Sequence, residues 1–269
     1  MKNRYVLGNT TNEIKRLELQ SSLFEPMAID ALKKAGIKNG SVCADIGCGP
    51  GYVTKVIGKL VGEKGRVIGM DINENYVKYC KSNIKNKNTS FIHHDITKHN
   101  HLFSEKFDLT YSRFMFVHLA NKSAALKSML QMTKRGGTII IQELDHAPDS
   151  WLSYPRRKSV EILRHAYVNL VKKSGGDPLA GRKLYKMFVE NKMNSHVECY
   201  SPCLVMKQKP LNELGWRIAQ SLKNQILDTG LMTATEYQKM FNDLKNMSKD
   251  PHSFVIYSRL FSIIGKKMI

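Results

Sequence analysis

Cysteine is scarce in this chain of 269 residues, and no two cysteines stand in a C-x-x-C pair. The number of cysteines is odd, which argues against a framework of disulfides. The five are Cys43, Cys48, Cys80, Cys199 and Cys203. Cys43 and Cys48 lie in or beside a glycine-rich motif, where a disulfide would distort the turn. We therefore expect a reduced, cytoplasmic protein.

Long hydrophobic runs are also missing. No apolar stretch approaches the length of a membrane span. The chain turns polar within a few residues of Met1, so we expect no signal-peptide core. The hydrophobic content of 42% is nevertheless enough for one large domain, or for a domain with a substantial lid.

Acidic residues are few compared with basic ones. The chain has 42 Lys and Arg against 23 Asp and Glu, a formal net charge of +19. Such a charge is typical of proteins that bind nucleic acid or an acidic surface. The basic residues are scattered as pairs, however, and form no arginine-rich tract. A nucleic-acid partner stays open, but a solvated basic surface is favoured.

A glycine-rich segment, residues 42–54, carries the clearest pattern. Val42 to Ile46 predicts a buried strand, Gly47, Gly49 and Gly51 a turn, and the following apolar stripe a helix. A dinucleotide fingerprint needs glycine or alanine where Tyr52 stands, so it fails there. The carboxylate of Asp45 favours a ligand with an ammonium group over a pyrophosphate.

This D-x-G-x-G-x-G stretch resembles the first motif of class I S-adenosylmethionine-dependent methyltransferases, and the resemblance extends from Tyr5 to about Asp145. It implies an α/β fold, a Rossmann-like doubly wound sheet of seven strands in the order 3-2-1-4-5-7-6, with strand 7 antiparallel. The cofactor implied is S-adenosyl-L-methionine. Asp45 and the loop with Gly47, Cys48, Gly49 and Gly51 would hold its methionine portion.

Two later strands end in acidic residues. The second strand, Arg66 to Asp71, places a carboxylate where nucleotide-binding folds hold a ribose, and Ile72 can pack on adenine. The third strand, Ser90 to Asp95, is followed by Ile96. The resemblance implies that Asp95 accepts the adenine amino group and that Ile96 contacts the ring.

Four histidines surround the third strand: His93, His94, His99 and His101. A metal site is disfavoured, because strand alternation points His93 and His94 to opposite faces and no carboxylate joins either at suitable spacing. We predict no metal.

The fourth strand, Phe107 to Ser112, should open into the pocket at Arg113, because ligands sit beyond the carboxyl ends of parallel strands. The proline-aromatic motif of nucleic-acid amino-methyltransferases is missing there. His118 and Glu143, the latter in a fifth strand after a Lys134–Gly137 turn, are the candidate catalytic bases. The alternative for His118 is a histidine satisfied by packing, and for Glu143 a strand-end carboxylate that caps a helix.

The amino-terminal segment is predicted to form two helices, one after a Thr10–Glu13 capping box and a second over Met27 to Ala35. The resemblance makes Tyr5, Arg16 and Gln20 second-tier candidates for closing over the cofactor. An ordinary solvated helix face is the favoured alternative.

We divide the chain into residues 1–149, the cofactor-binding half, and residues 150–269, which complete the sheet. In the second part Val197 to Met206 predicts the sixth strand and Phe254 to Ile264 the last one. Helical insertions at about 150–192 and 210–247 are predicted to form a lid over the acceptor site.

We therefore expect methyl transfer from S-adenosylmethionine to a small-molecule acceptor. An RNA or protein methyltransferase and a non-catalytic nucleotide-cofactor-binding protein remain as alternatives. The sequence leaves open the acceptor, the methylated atom and the oligomeric state.

Overall fold

A computed structural model of the protein describes residues 11–98 and 101–268. The helices are α1 Thr11–Lys34, α2 Tyr52–Val61, α3 Glu74–Asn83, α4 Lys122–Met132, α5 Lys158–Lys173, α6 Ala180–Glu190, α7 Leu214–Asp228 and α8 Ala234–Met247. The strands are β1 Val42–Ile46, β2 Arg66–Asp71, β3 Thr89–His93, β4 Phe107–Arg113, β5 Thr133–Asp145, β6 Leu152–Tyr154, β7 Asn194–Tyr200, β8 Cys203–Val205, β9 Phe254–Ile256 and β10 Arg259–Lys266.

The central sheet confirms the predicted fold class. Its seven strands lie in the order β3-β2-β1-β4-β5-β10-β7. Counted within this sheet alone, that order is 3-2-1-4-5-7-6. The seventh strand, β10, is antiparallel to both of its neighbours, while β1 to β5 are parallel. The carboxyl ends of β1 to β5 therefore meet at one edge of the sheet.

The amino-terminal segment is one helix, α1, so the prediction of two helices was wrong. Pro26 lies inside it. Phe24, Ala28 and Leu32 are fully buried at helical spacing. The apolar face thus continues across the proline, and its burial outweighs the backbone hydrogen bond that Pro26 cannot donate. The predicted Thr10 cap lies outside the described residues.

Two predicted strands are each divided in two. Residues 197–206 fall partly in β7 and partly in β8, with Pro202 between them, and residues 254–264 fall in β9 and β10. The Tyr257 N–H donates to the Pro202 carbonyl, N···O 2.9 Å. This hydrogen bond joins the two segments that interrupt the predicted strands. Beyond them the chain forms a second sheet, β6-β9-β8, which the sequence did not reveal.

Two further predicted elements, the third strand and the turn before the fifth strand, differ in detail from the structure. β3 ends at His93 rather than Asp95. The Lys134–Gly137 segment belongs to β5, but the pairing with β4 shifts there, from Phe107 opposite Thr133 to Leu109 opposite Thr138. Gly136, with φ +71°, allows this local departure from the ladder.

The helices α7 and α8 pack on α1 and α5 rather than on the edge where the strands end. Leu214, Ile218, Leu222, Tyr237 and Leu244 are buried in this cluster. Thr233 and Glu236 form a capping box at the start of α8. Within residues 11–98 and 101–268, no helix combines the length and the apolar character that a membrane span requires.

Candidate active site

A cavity of about 680 Å³ opens at the carboxyl ends of β1, β2, β4 and β5, a volume typical of small-ligand sites. One wall comes from α1, through Leu17, Gln20 and Ser21. Among the described residues that line it, none belongs to 210–247, and Tyr167 is the contribution from 150–192. α7 packs against α1, the helix that forms this wall, and α8 packs on α7 and α5.

The glycine loop forms the floor of this cavity. The N–H groups of Gly47 and Cys48 both donate to the Met70 carbonyl, at 2.8 and 3.0 Å, which fixes the loop against β2. Gly49 has φ +51°, and a Cβ there would meet no atom within 4 Å. A Cβ on Gly47 would lie 2.9 Å from Met115 Sδ. Gly49 thus leaves open space for a ligand, while Gly47 is needed for packing.

The structure places Asp45 in this cavity wall, only 2% exposed. Its Oδ2 accepts a hydrogen bond from Thr54 Oγ1 at 2.6 Å. Burial raises the pKa of Asp45 to about 6, an effect that the Thr54 bond and the nearby Arg113 guanidinium partly oppose. At neutral pH Asp45 is therefore a buried anion, which favours a cationic ligand group.

Cys48 and Gly51 are the other predicted members of the loop. Cys48 lines the cavity, and its hydrogen bond with Cys80 and its burial raise the pKa of the thiol well above the usual value. Gly51 precedes α2 and does not line the cavity. A Cβ there would lie 2.5 Å from Ile84 Cδ1, so its role is packing.

The end of β2 supplies Asp71 and Ile72, as predicted. Asp71 Oδ2 accepts from the Gly49 N–H at 2.8 Å and Oδ1 from the Asn73 N–H at 2.7 Å. Burial raises the pKa of Asp71, and these two N–H donors lower it. Ile72 also lines the cavity and is 61% exposed, which leaves an apolar surface for a ring to cover.

Asp95 and Ile96 lie just past β3 and line the same cavity. Asp95 Oδ1 accepts from both the N–H and the hydroxyl of Thr97, at 3.0 and 2.6 Å. This turn ends the strand early and holds the carboxyl group at the cavity edge. Ile96 is 5% exposed.

Arg113 ends β4 and faces the cavity, also as predicted. Its Nη2 donates to Ser21 Oγ of α1 at 2.8 Å. Its Nη1 is buried without a partner among the described residues. A buried guanidinium N–H without an acceptor is costly, so this atom indicates an anionic or carbonyl group on the ligand. Its partner Ser21 was not predicted, because the pair spans two elements far apart in the chain.

Glu143, one of the two candidate bases, is fully buried and lines the cavity. Its Oε2 accepts from the Val117 N–H at 2.9 Å and its Oε1 from the Leu144 N–H at 2.7 Å. Burial raises the pKa of Glu143 to about 7, although the two N–H donors oppose the shift. A carboxyl group with this pKa can take up a proton near neutral pH.

His118, the other candidate, also lines the cavity. Burial lowers its pKa to about 4, and the positive charges of Arg16 and Lys122 add to the effect. The imidazole is therefore neutral at pH 7 and resists protonation. Of the two groups Glu143 is better matched to proton abstraction.

Arg16 and Gln20 of α1 are buried. The favoured alternative, that they lie on an ordinary solvated helix face, was therefore wrong. Arg16 is 1% exposed and donates to both Glu13 oxygens, with Nε···Oε2 and Nη2···Oε1 each 2.8 Å. Its Nη1 donates to Gln20 Oε1 at 2.9 Å, and Gln20 lines the cavity. Arg16 therefore orients Gln20. Tyr5 lies outside the described residues.

Of the histidines near β3, His94 lines the cavity, whereas His93 is exposed with Nε2 2.9 Å from the Ile72 carbonyl. His99 lies outside the described residues. In the described part of the chain no group of three or more His, Cys, Asp or Glu side chains is placed to hold a metal ion.

Comparison with known proteins places this cavity in a family context. A family model described as a methyltransferase domain matches residues 37–192, more than half of the chain. A ubiquinone/menaquinone biosynthesis C-methyltransferase UbiE of Hydrogenovibrio crunogenus is 32% identical over 116 residues, 42% of this chain and 46% of that protein. The chain thus matches about half the length of such curated relatives.

Solved structures share the fold at low identity. A putative methyltransferase from Bacillus halodurans has a TM-score of 0.60 at 15% identity, covering 90% of this chain and 99% of that one. Haemonchus contortus phosphoethanolamine N-methyltransferase 2, in complex with S-adenosylhomocysteine, has a TM-score of 0.60 at 15% identity, covering 100% of this chain and 60% of that one.

Proposed function

We propose that this chain, which belongs to the class I S-adenosylmethionine-dependent methyltransferases, transfers a methyl group to a small molecule that must lose a proton. The observation that carries the proposal is one cavity with acidic groups at both ends. Asp45 and Asp71 lie at the carboxyl ends of β1 and β2 and Asp95 just past β3, at the cofactor side, and Glu143 lies buried in β5 on the other side.

The residues present fit S-adenosylmethionine. Asp45 would bind the ammonium group of its methionine portion, and the free Nη1 of Arg113 would bind the carboxylate. Asp71 would accept the ribose hydroxyls, Asp95 the adenine amino group, and Ile72 would cover one face of the ring. The open space above Gly49 lets the ligand approach the backbone closely.

The bound cofactor supplies a methyl group that its sulfonium already activates. The task of the protein is therefore to orient the acceptor and to exclude water, which can lower the barrier by roughly 7–11 kcal/mol. The α1 wall, held by the pair of Arg16 and Glu13, covers one side of the cavity. Leu17 and Gln20 of that wall would contact the acceptor.

Glu143 would take the proton that the acceptor loses. A pKa of about 7 keeps a useful fraction of the carboxylate ionised at neutral pH, whereas His118 with a pKa of about 4 is a weaker base. A thiolate acceptor needs no such base, but an oxygen or acidic carbon does. The matched relative from H. crunogenus is named a C-methyltransferase, which supports a carbon acceptor.

The location of positive charge favours a small acceptor over a polymer. A basic groove lies at the opposite edge of the sheet, where the strands begin, and includes Lys34, Lys38, Lys134, Arg135 and Lys266. The charged residues that line the cavity are Asp45, Asp71, Asp95, Glu143 and Arg113. An RNA backbone would be repelled by that excess of carboxylates.

The test uses S-adenosylmethionine with a labelled methyl group and a panel of phenols, hydroquinones, thiols, transfer RNA and a basic protein. We expect a labelled small-molecule product, and a rate that falls about 10²–10⁴-fold in Glu143→Gln. Glu190→Gln, at an exposed position on α6, is the matched control and should keep the wild-type rate. Label on RNA or protein, or an unchanged rate in Glu143→Gln, would contradict the proposal.

A further inference from the structure

The second sheet, β6-β9-β8, has an outward face without a charged side chain. Leu152 and Cys203 lie opposite Ile256, and Tyr154 and Val205 lie opposite Phe254. We call these six residues the apolar face. Val255 and Leu204 alternate with these residues along β9 and β8; they point inward and are buried.

The apolar face is open to solvent in the described structure. Tyr154 is 63% exposed, Leu152 50% and Val205 36%. Tyr154 and Phe254 stack with ring centroids 5.8 Å apart, which joins two strands in one surface. Antiparallel sheets with one free face normally place polar residues there, so a contiguous apolar face indicates a binding surface.

Positive charges gather at one end of this face. β6 and β8 both end there and β9 begins there, because β9 is antiparallel to its two neighbours. The adjoining cations are Arg156, Arg157, Lys158, Lys207, Lys209 and Lys249. Arg156 pairs with Glu161 at 2.7 Å, and Arg157 lies 3.6 Å from both Asp243 and Asp250. The four exposed lysines give this end a positive charge; we call it the basic rim.

From this arrangement we propose that the apolar face and the basic rim dock the protein on an anionic lipid surface. Exposed aliphatic and aromatic side chains enter the headgroup region, and lysines beside them pair with anionic headgroups. A second copy of the chain is a poorer partner, since it offers the same basic rim and therefore no opposite charge for the four lysines. The proposal does not depend on the proposed methyl transfer.

The apolar face is connected to the cavity through the residues just before β6. β6 follows the end of β5 after a short loop, at the edge of the main sheet where the cavity opens. Trp151, directly before β6, stacks on Tyr167 with centroids 6.5 Å apart, and Tyr167 lines the cavity. Docking through the apolar face would bring this edge toward the lipid.

The test is co-sedimentation of the full chain with vesicles of phosphatidylcholine alone or of equal parts phosphatidylcholine and phosphatidylglycerol. We expect binding to the mixed vesicles that weakens as salt is added. Leu152→Ser/Tyr154→Ser should reduce the partition coefficient about tenfold or more, because two apolar side chains no longer enter the lipid. Lys207→Glu/Lys209→Glu should remove the preference for anionic vesicles.

Two matched controls distinguish binding through the apolar face and the basic rim from nonspecific binding through other exposed apolar or basic residues. Tyr185→Ser/Val189→Ser changes exposed residues of α6, and Lys55→Glu/Lys59→Glu changes exposed lysines of α2. Both should bind vesicles like the wild type, and all variants should keep its melting temperature. Equal binding to both kinds of vesicle, equal losses in the controls, or a dimer in sedimentation that depends on Tyr154 without vesicle binding would each overturn the proposal.

Discussion

The Asp71 carboxylate at the end of β2 accepts a hydrogen bond from the backbone N–H of Gly49 in the glycine loop, N···O 2.8 Å. Two neighbouring parts of the cavity are therefore coupled by one side chain. The same group holds the loop in place and, in our account, binds the ribose. Loss of this carboxylate should affect the ligand both directly and through the loop.

Asp71→Ala should weaken binding of S-adenosylhomocysteine by at least about tenfold, because it removes an acceptor and leaves the Gly49 N–H without its partner, at a cost of about 1–3 kcal/mol. Isothermal titration calorimetry measures this directly. Asp228→Ala, at the exposed end of α7, is the control and should bind like the wild type. Wild-type affinity in Asp71→Ala would remove Asp71 from the binding site.

A methyl group added at Gly49 should block the cofactor with little effect on the fold. The Cβ would extend into open space, so the expected cost to stability is that of a positive φ alone, about 1–2 kcal/mol. Gly36→Ala is a matched control, because Gly36 has φ +76° and open space but lies away from the cavity. We expect similar melting temperatures and a loss of S-adenosylhomocysteine binding in Gly49→Ala alone. Equal affinity in both variants would place the ligand elsewhere.

The affinity for S-adenosylhomocysteine should fall as the pH decreases through about 6. Burial holds the pKa of Asp45 near that value, so the group is ionised above it and neutral below it. Only the ionised form attracts the ammonium group, and the loss approaches about tenfold per pH unit below the pKa. Calorimetry between pH 5 and 8 tests this. Asp45→Asn should bind weakly and without that pH dependence; the same pH dependence in the variant would assign it to another group.

Arg16→Met should destabilise the protein by about 3–5 kcal/mol, because it leaves the Glu13 carboxylate buried without its bidentate partner. Urea denaturation measures the change in the free energy of unfolding. Lys15→Met, an exposed neighbour on α1, should change it by no more than about 0.5 kcal/mol. Similar stability in the two variants would mean that the pair does not hold the α1 wall.

The parts of the site that follow from local sequence were predictable. β1 and β2 have the predicted bounds, because a short apolar run between glycines or charges determines a buried strand. Asp45, Asp71 and Asp95 lie at the cavity because parallel strands bring their carboxyl ends to one edge.

The parts that depend on tertiary packing were not predictable. The predicted second helix over Met27 to Ala35 continues α1, because the face with Phe24 and Leu32 is buried on both sides of Pro26. Arg16 looked solvated, because nothing local shows that it is enclosed with Glu13. Ser21 and Tyr167 contribute to the cavity from elements distant in the chain, which only the packing of α1 and α5 brings there.

We infer that the buried carboxylate of Asp45 selects a cationic methionine head over a pyrophosphate. Calorimetry of the wild type with S-adenosylhomocysteine and, separately, with NAD tests this most directly. We expect micromolar affinity for S-adenosylhomocysteine, abolished in Asp45→Lys, and no binding of NAD. No detectable heat with S-adenosylhomocysteine, or tight binding of NAD, would contradict it.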